Sequence, residues 1–427
     1  MLPLPATSRR IDSTPLGSSG FTAEPYCDNH PMSVSLVRAR RLGAVLREEE
    51  RVTPLELFFD LVFVLAITQC TALMAATPTW TGLVKGLAVL GVLWWSWVGY
   101  AWLTSVVDPE EGIVRMVIFV AMAAFLVAAL CVPEAFDDTA LLFACAYGIV
   151  RFAQIALFVL ASRDDPALRQ SVSGLAGGTA IGVGLISAAA FTDGWAQGAL
   201  WALALVLDVG EPFLFGADGW KLVPGHFAER HGLIVIIALG ESIVAIGVGA
   251  HGGIDAGIVA AAVLGIAVAA GLWWLYFDVV ALYAQRHLAE ATVGREQNEM
   301  ARDSYSYLHF PMVAGIVLLA LGLKKTLGDV GEPLKLVTAS ALLGGVALYL
   351  LAHVAFRLRN VHTLNKQRLV CAIVIGASVP LAVELPSLAT LAGLTAVLVV
   401  LITYETVRFA EARDRIRHQL AREAVAD

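Results

Sequence analysis

Residues 53 to 69 read Thr53-Pro54-Leu55-Glu56-Leu57-Phe58-Phe59-Asp60-Leu61-Val62-Phe63-Val64-Leu65-Ala66-Ile67-Thr68-Gln69. Carried on to residue 76, this stretch is long enough to span a bilayer, because a membrane-crossing helix needs about 20 mostly apolar residues. It nevertheless holds two carboxylates. Thr53-Pro54-Leu55-Glu56 has the pattern of a capping box with proline at the first helical position, so Glu56 can serve its own helix end and gain from the macrodipole. Asp60 lies one turn deeper, about 6 Å further along the axis, where no cap is needed. It shares a face with Glu56, Phe63 and Ile67, which directs it into a bundle. Two acids four residues apart repel, so a cation must come between them or a proton must be held. Arg51, Arg115 and Arg151 are the expected partners.

Composition places the rest of the chain in the same solvent. Of 427 residues, 58% are hydrophobic and 15% charged, with a mean hydropathy of +0.75. Ordinary globular domains carry about 25% charged residues, so the surface here must face lipid. The net charge of −7 and the scattered basic clusters exclude nucleic acid as a partner. Cys27, Cys70, Cys131, Cys145 and Cys371 lie apart and read as small core residues, not as a disulfide framework or a metal site.

The fold expected is all-α, a polytopic integral membrane bundle of about twelve helices near 54–76, 81–104, 113–132, 139–161, 169–191, 195–216, 231–250, 256–284, 304–323, 335–356, 368–385 and 388–410. The break at Pro386 reads as a loop or a kink. Residues 1–50 read as a basic, largely disordered cytoplasmic tail without signal-peptide character, or in part as a surface helix over 35–51. Residues 411–427 form a second cytoplasmic tail. Lys and Arg concentrate on the side that holds both tails, which predicts both termini in the cytoplasm; Lys324 and Lys325 run against that bias.

A 6+6 repeat is expected, with halves 51–216 and 217–410. Glu241 follows Asp60 by 181 residues, and Trp273-Trp274 follow Trp94-Trp95 by 179. Six spans being an even number, such halves would be parallel copies with a site between them. In the second half, His226-Phe227-Ala228-Glu229-Arg230-His231-Gly232 leads into an apolar run holding Glu241. A helix starting near His231 puts Glu241 about 15 Å in, where an unpaired charge is least tolerated. Gly240 and Gly247 would permit close helix contact beside it. His226 and His231, five apart, lack the spacing of a helical metal pair and read as interfacial, with Glu229 and Arg230 as supporting groups. Asp208 and Glu211 precede Pro212, whose missing N–H would open the helix at a cation or proton site; the alternative reading is a cytoplasmic helix end decorated with acids. His309 and His353 could ligate haem. Trp94, Trp95, Trp97, Tyr100 and Trp102 divide between an interface belt and interhelical packing, with a cation–π lining as the alternative.

The stretches 53–69 and 226–247 closely resemble the two signature segments of the bacterial low temperature requirement A (LtrA) family, and the resemblance runs from about Arg51 to about Ala410. It implies a polytopic bacterial membrane protein named for growth in the cold, and it implies no catalytic reaction. Phe58-Phe59-Asp60 also looks like the Phe-Ser-Asp opening helix of the two-repeat, six-span potassium channels, with Phe59 in place of the serine and Glu241 in place of the second aspartate. The function expected is an ion- or proton-coupled transporter or channel-like protein. Its ion-binding residues would be Asp60, Glu241, Asp208, Glu211 and Glu56, supported by His226, Glu229, Arg230, His231, Arg115 and Arg151. The rival readings are a membrane-embedded lipid-modifying enzyme or cofactor binder, which lacks a catalytic cluster, and a structural or sensory protein. No catalytic residue, metal or cofactor is expected. Membrane lipid and a small cation or proton are the expected partners, and a homo-oligomer is compatible with all of this.

Overall fold

A computed structural model describes residues 51–214, 219–250, 253–278 and 280–411. The expected tails at 1–50 and, past residue 411, at the C-terminus lie outside the described residues. The described chain is helical, and the β-type pairing in it is an isolated bridge between Pro333 and Pro386. The helices are α1 (Pro54–Ala76), α2 (Trp80–Val106), α3 (Gly112–Cys131), α4 (Ala140–Ala161), α5 (Pro166–Ala189), α6 (Gly194–Leu214), α7 (Pro224–Gly249), α8 (Ala256–Phe277), α9 (Val280–Glu290), α10 (Arg295–Met300), α11 (His309–Gly328), α12 (Leu336–Val361), α13 (Lys366–Ala377), α14 (Val379–Ala382) and α15 (Ser387–Arg408).

Helix starts follow local chemistry. At α1 the Thr53 hydroxyl accepts from the Glu56 amide at 3.3 Å while the Glu56 carboxylate accepts from the Thr53 amide at 2.8 Å, a complete capping box with Pro54 behind it. Asp165 caps α5 by accepting from the Ala167 and Leu168 amides, each at 3.1 Å. Lys221 stands 2.8 Å from that carboxylate and holds it below the usual carboxyl range.

Ten helices among the described residues are long and apolar enough to cross a membrane. Large apolar side chains such as Phe58, Leu61, Leu130 and Val400 remain exposed on them, as a lipid-facing surface requires. Two of the twelve expected spans fall outside the ten. The helix α6 carries Gln197, Asp208, Glu211 and Pro212, and the 368–385 span is broken. Here α13 stops at Ala377 after 12 residues and α14 restarts with Pro380 in its first turn, since that proline cannot supply the N–H a continuous helix needs. Pro386 marks a break, not a kink: it precedes α15 and bridges to Pro333.

Other boundaries also shift. The expected eighth span ends at Phe277, and residues 280–290 form a separate helix with an Arg286–Glu290 ion pair at 2.9 Å. The segment Ala301–Tyr307 is a π-helix leading into α11. Its wider turn redirects carbonyls to side chains: Ser306 O accepts from Trp94 Nε1 at 2.9 Å and Ser304 O from His309 Nδ1 at 3.0 Å.

The core is centred on α11, which packs along α12 and α7. Gly315 and Gly345 make the first of these contacts possible. A Cβ on either would stand 2.5 Å from the other's carbonyl oxygen, so backbone meets backbone there. Gly240 and Gly247 do not play that role, because a Cβ on either would meet nothing within 4 Å. The close approach of α7 to α11 is instead at Gly249, where a Cβ would stand 2.8 Å from the Lys324 carbonyl oxygen. The aromatic group on α2 is likewise internal. Trp94, Trp95, Trp97 and Tyr100 are buried and Trp102 half-buried, so none forms an interface belt.

Candidate functional site between helices 1 and 7 and beside helix 6

The first cluster lies where α1, α2 and α7 meet. Because α7 begins at Pro224, seven residues before the start expected at His231, His226 and Arg230 sit within its first two turns and point inward. The side chain of Arg230 is 1% exposed and that of Asp60 fully buried. Arg230 Nη2 donates to Asp60 Oδ1 at 2.6 Å, and Nη1 donates to Thr104 Oγ1 at 2.8 Å and Glu56 Oε1 at 3.3 Å. Trp97 Nε1 donates to the same Asp60 oxygen at 2.8 Å, and the guanidinium lies 5.5 Å from the Trp97 ring. His226 Nε2 donates to Glu56 Oε1 at 2.8 Å. The cation that separates the two acids is therefore Arg230, not Arg51, Arg115 or Arg151. Arg115 is exposed beside Glu110 at 3.8 Å, and Glu229 is exposed and accepts from the Val52 amide at 3.1 Å; neither belongs to the cluster. His226 and His231 are both buried, which corrects their reading as interfacial side chains.

Glu241 lies deeper on the same α1–α7 contact. Its Oε2 accepts from Thr68 Oγ1 at 2.5 Å, and the side chain is buried. Contacts 56 to 226, 60 to 230 and 68 to 241 rise together, so α1 and α7 run in the same direction. Thr68 is eight residues beyond Asp60, about 12 Å along α1, so the structure places Asp60 and Glu241 on one interface with separate partners. Lys324 on α11 supplies a cationic field at Glu241 but forms no ion pair with it among the described residues.

A second cluster joins α4, α5 and α6. Arg151, 1% exposed, lies 3.7 Å from Asp208 Oδ1 and donates to Thr179 Oγ1 at 2.9 Å and the Trp95 carbonyl at 3.3 Å. Tyr147 donates to Asp208 Oδ2 at 2.8 Å. Glu211 is buried beside them, and its Oε2 has no hydrogen-bond partner among the described residues. Pro212 lies inside α6, which continues through it to Leu214; the helix is not opened at the acids.

A third network joins tyrosines and histidines that lie far apart in the sequence. Tyr276 donates to His309 Nε2 at 2.8 Å, Tyr305 stacks on His309 with ring centroids 5.2 Å apart, and His231 meets His309 at the same separation. Further along, Arg368 donates to His353 Nδ1 at 2.8 Å and pairs with Glu405 at 2.8 Å. A shared sequence pattern marks these histidines: Phe227 and His231, Tyr305 and His309, and Tyr349 and His353 are each four apart, one turn of helix, and each pair is in ring contact. His309 and His353 are held by tyrosine, carbonyl and arginine groups, and no group of three or more His, Cys, Asp or Glu among the described residues is arranged to hold a metal ion.

Carboxylates held by guanidinium groups of neighbouring helices, inside a bundle with an apolar outer surface, define a multi-pass helical membrane protein with an ionisable interior. Residues 51–403 match the family described as bacterial low temperature requirement A protein (LtrA), and the chain belongs to that family. It is 30% identical over 310 residues to an uncharacterized protein of Rhizobium meliloti (strain 1021), covering 69% of this chain and 74% of that one. No solved structure matches it.

Proposed function

We propose that this LtrA family protein is a transporter or channel-like protein of the bacterial inner membrane that moves a small cation or a proton-coupled solute. Charge balance is the observation that carries this reading. Glu56, Asp60, Asp208, Glu211 and Glu241 are buried acids, and the two buried guanidiniums among them are Arg151 and Arg230. Three acids therefore remain to be balanced, and a protonated His226 beside Glu56 would account for one. Charges in a membrane interior are costly unless paired, so the others, Glu211 and Glu241, are the groups that take up a proton or a cation. Binding there changes the charge of α6 and α7 without breaking the Arg151 and Arg230 pairs, which is how an ion can bias a two-state bundle.

The repeat expected from the sequence belongs to the same proposal. Its support is the parallel course of α1 and α7 together with the 181-residue offset of Asp60 and Glu241. The Lys and Arg distribution supports cytoplasmic termini. A role in growth at low temperature would follow if ion or solute balance limits growth in the cold.

The test is flux in proteoliposomes across a panel of monovalent cations and an imposed pH gradient. Glu241→Gln and Glu211→Gln, both correctly inserted, are expected to lose the ion or pH dependence of the flux. Unchanged flux in both variants, or no flux above empty liposomes for any ion or gradient, overturns the proposal.

A further inference from the structure

The second cluster borders a cavity of about 90 Å³ between α2, α4, α5, α6 and the segment before α11. That is well above the roughly 10–15 Å³ that a single water needs, so it admits several waters or a small solute. Its walls include Trp95, Trp102, Trp220 and Phe158, and its polar groups include Gln154 and Glu211. The aromatic walls are held in place. Trp102 Nε1 donates to Ser306 Oγ at 3.0 Å, and Trp220 meets Trp102 and Phe158 edge to face at 5.9 and 5.1 Å.

The open polar atoms select the sign of the ligand. Glu211 Oε2 and Gln154 Oε1 are buried acceptors without partners among the described residues. The cations on the wall are already engaged: Arg302 donates to Asp303 at 2.8 Å and to the Pro212 carbonyl at 3.3 Å, and both terminal nitrogens of Arg151 are used. Of the Arg151 nitrogens, Nε alone has no hydrogen-bond partner among the described residues. The backbone makes room for both acceptors. A Cβ on Gly178 would stand 2.5 Å from Glu211 Oε2, and one on Gly99 would stand 2.1 Å from Gln154 Nε2.

We propose that this cavity binds a small organic cation, an alkylammonium or quaternary amine, with Glu211 balancing its charge and Trp95, Trp102 and Trp220 packing its alkyl groups. Indole faces attract cations through the ring quadrupole, and a desolvated carboxylate adds the charge that a neutral ligand would not satisfy. The proposal rests on the transporter reading, since it names the substrate class of one of that reading's acids.

The experiment is equilibrium binding by calorimetry to the full-length protein in lipid nanodiscs, with choline chloride, its uncharged isostere 3,3-dimethyl-1-butanol, and sodium chloride as probes. Choline is expected to bind saturably, and the isostere and sodium at least about tenfold more weakly. Glu211→Gln is expected to weaken choline about tenfold or more, and Trp220→Leu, in the segment before α7, about three- to tenfold. If Glu211→Gln does not assemble, Trp220→Leu and Gly178→Ala, which crowds the carboxylate without removing it, carry the same expectation. Equal binding of choline and its isostere, or wild-type choline affinity in the variants that assemble, overturns the proposal. Absent flux with choline binding intact would remove the transporter reading alone, whereas cation flux without choline binding would remove this inference alone.

Discussion

Arg230 on α7 places its Nη2 2.6 Å from Asp60 Oδ1 on α1, across 170 residues of sequence, while Asp60 Oδ2 is left without a hydrogen-bond partner among the described residues. One guanidinium thus serves two acids, because its other terminal nitrogen reaches Glu56. Removing it leaves both carboxylates buried with Trp97, Thr53 and His226. Arg230→Met is therefore expected to destabilise the bundle by about 3–5 kcal/mol, the cost of an uncompensated buried charge. Asp60→Asn in the same background should recover part of that loss. Unfolding in mixed micelles reads both, and an unchanged midpoint for Arg230→Met would contradict the pairing.

Glu241 carries the opposite expectation. Threonine hydroxyls at Thr68 and Thr71 are its hydrogen-bonding groups, and a glutamine oxygen can accept the same bonds. Glu241→Gln should leave stability unchanged or raise it by up to about 1 kcal/mol, since a neutral amide costs less to bury than a carboxylate. A fall of several kcal/mol in the same unfolding assay would mean that the carboxylate is held by a strong counter-ion.

Gly345 and Gly344 are adjacent on α12 and face different surroundings. A Cβ at Gly345 would stand 2.5 Å from the Gly315 carbonyl, while one at Gly344 would meet nothing within 4 Å. Gly345→Val is expected to cost about 1–3 kcal/mol or more through overpacking, and Gly344→Ala close to nothing. Similar losses for the two would rule out the close α11–α12 contact.

Asp165→Ala removes the cap of α5 and should cost about 1 kcal/mol. The hydrogen-bonded Lys221 ammonium lowers the folded-state pKa of Asp165 below the ordinary aspartate range. The contribution is therefore complete about a unit above the ordinary aspartate pKa of about 3.9 and disappears as pH falls through the depressed folded value. Wild type and variant should therefore differ in thermal midpoint at pH 7 and converge at strongly acidic pH. A gap that persists there would assign the cap to packing, not charge.

Much of the fold was legible because helix formation in lipid is a local problem. The capping box at Thr53 and Glu56 and the inward face shared by Glu56, Asp60, Phe63 and Ile67 follow from the 3.6-residue period and are found as expected. The start of α7 is masked in the sequence because His226, Glu229, Arg230 and His231 look like a polar interface, whereas three of those four side chains are buried against α1, α2 and α11. Trp94 to Trp102 were divided between interface and interior because their rings fit either. The tyrosine and histidine network is assembled from α7, α8, the π-helical segment, α11 and α12, so the sequence shows it only as a repeated four-residue aromatic-to-histidine spacing.

The amino-acid sequence alone determined the solvent, the helical class and the inward direction of the acids, because a long apolar run must satisfy its backbone within itself and each side chain's face follows from position. Which cation meets which acid was decided by tertiary structure. Arg230 rather than Arg151 reaches Asp60, and Thr68 rather than an arginine reaches Glu241, because the register and rotation of packed helices set those distances. Neither quantity is encoded in the period of any single helix.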